Sequence, residues 1–182
     1  MSLKWLPNAL TMSRCVLAAL VGWLILNVAP SSVWPLLAFI LVALTDFLDG
    51  WAARRFDAVS KFGAFLDPVA DKLLVGLSLI ALTMLSNGDW TILIPTCLIV
   101  ARDIVATVLR LFPQIEMPVS QLAKWKTALE MVGIGALLLA GPIASGLVWS
   151  LGIALIWAAA VLSIYTLGLY VGTLLADVKR PR

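Results

Sequence analysis

The feature that most constrains this chain is a series of long apolar stretches separated by short polar breaks. Each stretch reaches the roughly 20 residues that an α-helix needs to cross the hydrocarbon core of a bilayer. We count six of them, with approximate bounds at 8–28, 34–54, 62–86, 90–111, 125–143 and 146–175. Since 62% of the residues are hydrophobic and only 13% are charged, the pattern predicts an all-α polytopic membrane protein, a bundle of six transmembrane helices.

The six stretches use the whole chain, so we expect a single domain over residues 1–182. The segment Met1–Leu6, which contains Lys4 and Trp5, is expected to lie along the membrane interface as a short anchor. A cleaved signal peptide is not expected, because Arg14 lies inside the first apolar stretch and no small-residue cleavage site follows it.

The basic residues indicate how the helices are oriented. If the six spans are threaded with the N-terminus inside, all 13 Lys and Arg residues fall on the inner side. The opposite connections contain one charge, Asp89. This is the positive-inside pattern, and it predicts that both termini are cytoplasmic. The longest polar break, Phe112–Ala123, is then predicted to be a cytoplasmic loop.

Four aspartates are the most unusual polar residues of the chain. Asp46 and Asp49 are three apart at the end of the second span, and Asp67 and Asp71 are four apart near the start of the third. Each pair therefore shares one helical face, and the short connection between the spans brings the two pairs together. An acid in an apolar span costs about 2.5 to 3.5 kcal/mol on insertion scales, so a functional site is the expected reason for it.

Four neighbouring carboxylates repel one another unless cations or protons compensate them. The chain contains no histidine, and an all-oxygen ligand set suits Mg, Mn or Ca ions. Two ions bridged by aspartates would suit phosphoryl-type transfer. The alternative from another class is the ion path of a small ion-coupled transporter. Transport is the less favoured reading, because Asp89 is the one acid on the opposite side.

The residues from Asp46 to Asp71 follow the pattern D-x2-D-G-x2-A-R-x8-G-x3-D-x3-D. This pattern resembles the signature of the CDP-alcohol phosphotransferase family at every fixed position. Less specific likenesses extend over nearly the whole chain, and they lie at Pro7–Thr11 with Arg14, Phe62–Lys72, Ala101–Asp103 with Arg110, and Lys124–Thr127. The six-span layout agrees with the same family.

The resemblance implies roles for the residues of the motif. Asp46, Asp49, Asp67 and Asp71 would hold two divalent metal ions, Mg or Mn. Asp71 would also be the base that accepts the proton of the attacking hydroxyl.

A donor nucleotide is also implied. The donor, CDP-diacylglycerol, would contact four motif residues: Gly50, Ala53, Arg54 and Gly63. For the three small residues, helix packing is the open alternative to donor contact.

An anionic acceptor would need cations outside the motif. Four candidates for binding its phosphate are Arg102, Arg110, Lys124 and Lys126, with Arg14 and Lys72 as further ones. Arg and Lys bind phosphate by charge-assisted hydrogen bonds. Each of these residues could instead be a charge that only orients the helices.

The resemblance implies transfer of the phosphatidyl group of CDP-diacylglycerol to sn-glycerol 3-phosphate, which releases CMP, in anionic phospholipid synthesis. Family members that make cardiolipin, or that use inositol phosphate, share the motif and remain alternatives. The implied setting is the bacterial inner (cytoplasmic) membrane, with a multi-pass chain, a site facing the cytoplasm and membrane lipids around it. A homodimer is also implied, and no nucleic-acid partner is expected.

Overall fold

A computed structural model describes the backbone of residues 6–55, 61–110 and 121–178, and side chains mainly within 12–45, 72–109 and 121–169. Six α-helices account for the regular structure of these residues: α1 (Leu6–Asn27), α2 (Trp34–Arg55), α3 (Lys61–Leu85), α4 (Trp90–Arg110), α5 (Gln121–Ala140) and α6 (Gly146–Val178). The all-α prediction with six helices is confirmed. The predicted interfacial anchor lies almost wholly outside the described residues.

The helices differ in how clearly they qualify as membrane spans. Two contain a described stretch that is long and apolar enough to cross a bilayer, Trp90–Leu109 in α4 and Gly146–Leu169 in α6. The apolar described stretches of α1, α2 and α3 are shorter than this criterion requires. Six crossings therefore remain a prediction, whereas six helices are an observation.

The predicted bounds agree with the observed ones to within a few residues, and α5 shows the largest difference. It begins at Gln121, so the predicted loop Phe112–Ala123 is wrong for its last three residues, while 111–120 lie outside the described part. Gln, Leu, Ala and Lys are all good helix formers, which explains the earlier start. The helix ends at Ala140, where Gly141 begins a turn that is closed by the Ser145 N–H on the Ala140 carbonyl at 3.1 Å.

Side-chain caps determine where several helices begin. Asp89 Oδ1 accepts a hydrogen bond from the Thr91 N–H at 2.9 Å at the start of α4. Ser32 Oγ accepts from the Trp34 N–H at 3.3 Å at the start of α2. These bonds satisfy N–H groups that have no partner inside the helix, which is why Asp and Ser are favoured there.

The core is built mainly from aliphatic side chains, and all six helices contribute to it. Ile25, Leu79, Ile99, Ile134 and Ile156 are at most 2% exposed. The principal neighbours are α5 with α6, α1 with α3, and α4 with both α3 and α6. This arrangement brings α3, α4, α5 and α6 into one continuous packed unit, within which buried polar groups can meet.

The turns that follow α1, α3 and α5 lie at one end of the bundle. Pro30 lies directly against Gly141, so close that there is no room for a Cβ on that glycine. A largely apolar cavity of about 270 Å³ at this end is lined by residues of all three regions, including Val28, Leu85 and Ser145. Helices α2 and α4 begin near this end, so their C-terminal ends lie toward the opposite end of the bundle.

Candidate functional site

The motif aspartates lie on the two helices that the sequence predicts. Asp46 and Asp49 fall in the last three turns of α2, and Asp67 and Asp71 fall in the first half of α3. The backbone is helical at all four positions, so the three- and four-residue spacings are helical spacings as expected. Their side chains lie outside the described part of the structure, and their convergence remains a prediction.

The predicted donor-binding residues also lie on these two helices, and their contacts likewise remain a prediction. Gly50, Ala53 and Arg54 lie in α2, and Gly63 lies in the first turn of α3. Their contacts also lie outside the described side chains. Among the side chains that are described, no group of three or more His, Cys, Asp or Glu residues could hold a metal ion. That search does not include the four motif aspartates.

A buried cluster of charged residues is the most polar feature of the described interior. Its centre is the carboxylate of Asp103 on α4, a residue that is 9% exposed. Oδ1 of Asp103 accepts a hydrogen bond from Nζ of Lys126 at 2.7 Å and another from Nη1 of Arg102 at 3.0 Å. Lys126 is 3% exposed and Arg102 is 6% exposed. Both ion pairs are therefore removed from solvent, where pairing is needed to offset lost hydration.

The cluster extends to α5 and α6. Nζ of Lys126 lies 3.1 Å from Oε1 of Glu130, close enough for ionic attraction but without hydrogen-bond geometry. Glu130 lies one turn further along α5 and is 2% exposed. Nη2 of Arg102 donates to the Thr166 hydroxyl of α6 at 3.2 Å. We call Lys72, Arg102, Asp103, Thr107, Lys126, Glu130 and Thr166 the Asp103 cluster.

Lys72 connects the cluster to α3. Its ammonium donates to the Asp103 carbonyl oxygen at 2.9 Å and to the Thr107 hydroxyl at 2.6 Å, both on α4. Lys72 directly follows Asp71 in the chain. The helix that carries the second aspartate pair is thus hydrogen-bonded to the cluster within one residue of that pair.

An apolar groove of about 310 Å³ runs between α3 and α4 from this junction. Its walls include Leu77, Ile80 and Ile104, and Lys72 and Thr107 line it as well. The groove shows that the Lys72 contact lies at the edge of an apolar surface. Apolar side chains therefore border the cluster on this side, and the low local dielectric constant strengthens its electrostatic interactions.

The four predicted acceptor-binding cations do not share one environment in the structure. Arg102 and Lys126 are brought together on one carboxylate. Lys124 is exposed and is not part of the cluster. Arg110 ends α4, and its side chain lies outside the described part. Phosphate binding by any of them remains a prediction.

Sequence reasoning assigned no role to Glu130, and it included Asp103 only in the family likeness at Ala101–Asp103. A signal for both was present, because each is an acid within a mainly apolar stretch. Glu130 also follows Lys126 by four residues, which is the spacing of a helical ion pair. Neither signal identifies the partners on other helices.

The chain matches a known protein family over most of its length. The family model described as CDP-alcohol phosphatidyltransferase matches residues 4–165. The chain belongs to this family. Membership of a transferase family decides between the two classes that the aspartates left open, an enzyme and an ion-coupled transporter, in favour of the enzyme.

Several relatives are similar to this chain over most of its length. A protein of Rickettsia typhi named CDP-diacylglycerol--glycerol-3-phosphate 3-phosphatidyltransferase is 39% identical over 170 residues, covering 90% of this chain and 93% of its own. A protein of Shigella flexneri with the same name is 35% identical over 181 residues, covering 95% and 96%. A CMP-forming cardiolipin synthase of Oryza sativa is 35% identical over 187 residues, covering 91% of this chain and 56% of its own.

Proposed function

We propose that this chain transfers the phosphatidyl group of CDP-diacylglycerol to sn-glycerol 3-phosphate, giving phosphatidylglycerophosphate and CMP in anionic phospholipid synthesis. The observation that carries the proposal is the shared name of the Rickettsia and Shigella relatives, which align with nearly all of this chain. The family supplies the reaction class, and these relatives supply the acceptor.

The motif residues have distinct roles in the proposed reaction. The acceptor hydroxyl oxygen forms a bond to the phosphatidyl phosphorus as the bond from that phosphorus to the CMP oxygen breaks. Asp71 takes the hydroxyl proton. Gly50, Ala53 and Gly63 leave room for the donor nucleotide, and Arg54 pairs with its pyrophosphate through two parallel hydrogen bonds.

Two divalent ions, Mg or Mn, are proposed at Asp46, Asp49, Asp67 and Asp71. The donor set fits such ions, because it offers four carboxylates on two helices in a chain without histidine. When bound, the ions would polarise the phosphate and stabilise the leaving oxygen. The protein's part is to hold the four carboxylates on two rigid helices at fixed spacing.

The acceptor phosphate is proposed to meet the cations of α4 and α5. Within the Asp103 cluster the three basic residues Lys72, Arg102 and Lys126 face two acids, Asp103 and Glu130. This formal excess of positive charge favours an anionic acceptor over a neutral one. The exposed Lys124 and the helix end at Arg110 add cations on the same two helices.

A second acceptor has specific support, because the Oryza relative named cardiolipin synthase is as similar to this chain as the Shigella relative. Purified protein assayed with CDP-diacylglycerol and a panel of alcohols separates the two. We expect kcat/KM for sn-glycerol 3-phosphate to exceed that for glycerol by at least about tenfold, since one charge-assisted bond contributes roughly 1.5 to 3 kcal/mol. A preference for phosphatidylglycerol or inositol phosphate would reject this acceptor and leave the family intact.

The proposed location is a bacterial cytoplasmic membrane, with the aspartates facing the cytoplasm. It is supported by the basic residues, which all fall on the predicted inner side. It is also supported by the turns after α1, α3 and α5, which lie together at one end of the bundle. Cysteines at the exposed positions Ser31 and Gln121 provide a test in a cysteine-free background. An impermeant thiol reagent should label the first from outside and the second only after lysis, and the reverse pattern would contradict the topology.

A homodimer is proposed on the resemblance. Large apolar side chains cover the outer surface of the bundle, among them Ile104, Trp125 and Leu151, and lipid or a second copy must cover them. Light scattering of the protein in detergent should give a protein mass of two chains. A mass of one chain across detergents would contradict the homodimer.

A further inference from the structure

We propose that Asp103 is a positioning residue for the acceptor phosphate, acting through Lys126 and Arg102. This rests on the proposed function, because it concerns binding of the phosphate of sn-glycerol 3-phosphate. Asp103 would touch neither substrate. Its role would be to hold two cations, from α4 and α5, in a fixed place before the acceptor arrives.

The first step of the argument is burial. Lys126 is 3% exposed, and an ammonium group so far from water is strongly destabilised unless an anion pairs with it. The Asp103 carboxylate is that anion at 2.7 Å. Asp103 thus permits a charged lysine at this depth, and a charged lysine is what a phosphate requires.

The second step is geometry across helices. Lys126 belongs to α5 and Asp103 to α4, so their hydrogen bond holds the two helices in one register. The same Oδ1 orients Arg102, whose other amino group is bonded to Thr166 of α6. A cation held by such bonds loses little further freedom when a phosphate binds, and this preorganisation increases affinity.

The third step is the connection to the aspartate helix. The carbonyl of Asp103 accepts the Lys72 ammonium, and Lys72 adjoins Asp71, the proposed base. One residue therefore links α3, which carries the proposed base, to the buried cations of α4 and α5. The acceptor must be held by its phosphate while its hydroxyl reaches the base, so the spacing between these helices matters to its binding.

Glu130 provides a matched comparison on the same lysine. It is as buried as Lys126 and lies 3.1 Å from the same Nζ, but it belongs to the same helix and lacks hydrogen-bond geometry. Glu130→Gln removes one negative charge near Lys126 without breaking a described hydrogen bond between helices. Asp103→Asn removes the same charge and weakens the bonds to α5 and to Arg102.

The experiment measures steady-state kinetics of purified full-length variants with both substrates. Asp103→Asn should raise KM for sn-glycerol 3-phosphate about tenfold or more, the scale of one charge-assisted hydrogen bond, and KM for CDP-diacylglycerol less than about twofold. Glu130→Gln should change the acceptor KM less than about threefold. Asp103→Glu, which retains the carboxylate on a longer side chain, should give an acceptor KM between the wild-type value and that of Asp103→Asn. This selective effect and its rescue would not arise from a general loss of folding.

Three outcomes overturn the proposal. These are an unchanged acceptor KM in Asp103→Asn, an equal rise in both KM values, or equal acceptor effects in Asp103→Asn and Glu130→Gln. If Asp103→Asn cannot be purified, the lengthened side chain of Asp103→Glu should still raise the acceptor KM measurably, and a wild-type value there overturns the proposal too. A wild type that is inactive with sn-glycerol 3-phosphate instead rejects the proposed function, and with it the phosphate that Asp103 serves.

Discussion

The two ends of the bundle solve the same packing problem with different chemistry. At the charged end, Lys72, Arg102, Asp103, Lys126 and Glu130 meet in the interior. At the apolar end, the turns after α1, α3 and α5 surround a cavity lined almost wholly by apolar groups. Helices α3, α5 and α6 contribute to both ends, so the difference cannot come from helix type.

The contrast indicates at which end of the bundle residues serve function and not stability. Well-packed apolar residues often stabilise a core as well as or better than a buried ion pair of similar volume. The apolar end shows that this chain can pack without buried charges. The charges at the other end are therefore better explained by what they bind and position than by stability, which agrees with the aspartate motif lying toward the same end.

The largest expected effect tests whether chemistry is confined to the charged end. Asp49→Asn should lower kcat by more than about a hundredfold, because it removes a proposed metal ligand. Chelation should abolish wild-type activity, and Mg or Mn should restore it. Metal binding by the variant, measured directly by calorimetry, should be weakened in parallel.

Asp89→Asn is the matched control at the other end. Asp89 is an exposed cap of α4, and asparagine caps a helix about as well as aspartate. This variant should retain wild-type turnover and metal dependence. Retained turnover of the wild type in metal-free buffer would contradict the two-metal proposal, whatever the control does.

A second prediction measures the stability cost of breaking the charged end. Lys126→Met should lower the free energy of unfolding by about 3 kcal/mol, because it leaves the buried Glu130 without its cation and Asp103 with Arg102 alone. Thermal unfolding in detergent, with matched lipid content, provides the measurement. The double variant Lys126→Met/Glu130→Gln should recover part of that loss, because it removes one of the stranded charges. If Lys126→Met is as stable as the wild type, the ion pairs of Lys126 contribute little to the free energy of unfolding.

The smallest expected effect concerns the apolar end. A Cβ at Gly141 would collide with the backbone carbonyl of Pro30, which cannot move as a side chain can. Gly141→Ala should therefore lower stability by about 1 to 2 kcal/mol, while KM for both substrates stays unchanged in the folded fraction.

Gly135→Ala tests the same substitution where there is space. A Cβ at Gly135 meets no atom within 4 Å, and alanine is the better helix former by roughly 1 kcal/mol. This variant should be as stable as the wild type or more so. A change in acceptor KM in Gly141→Ala would show that the two ends are coupled and do not act independently.

The sequence by itself determined the number of helices, most of their ends and the family motif. Apolar length and helical spacing are local properties, so Trp34, Trp90 and Gly146 begin helices as predicted or within a residue of it. The aspartate motif lies within 46–71 and could be recognised without any tertiary contact. The start of α5 was missed because Gln121 and Lys124 interrupt the apolar pattern there, although Gln121–Lys124 consists of good helix formers.

Only the tertiary structure decided which cations are buried and with which acids. From sequence, Lys124 and Lys126 are equivalent basic residues at the start of the fifth span, and Arg102 lies within the fourth. In the fold, Lys126 bonds to Asp103, 23 positions away, while Lys124 remains exposed. Lys72 reaches α4 across 31 positions, and Arg102 reaches α6 across 64. These pairings depend on the rotation of each helix about its axis and on its neighbours, and packing of distant helices determines both.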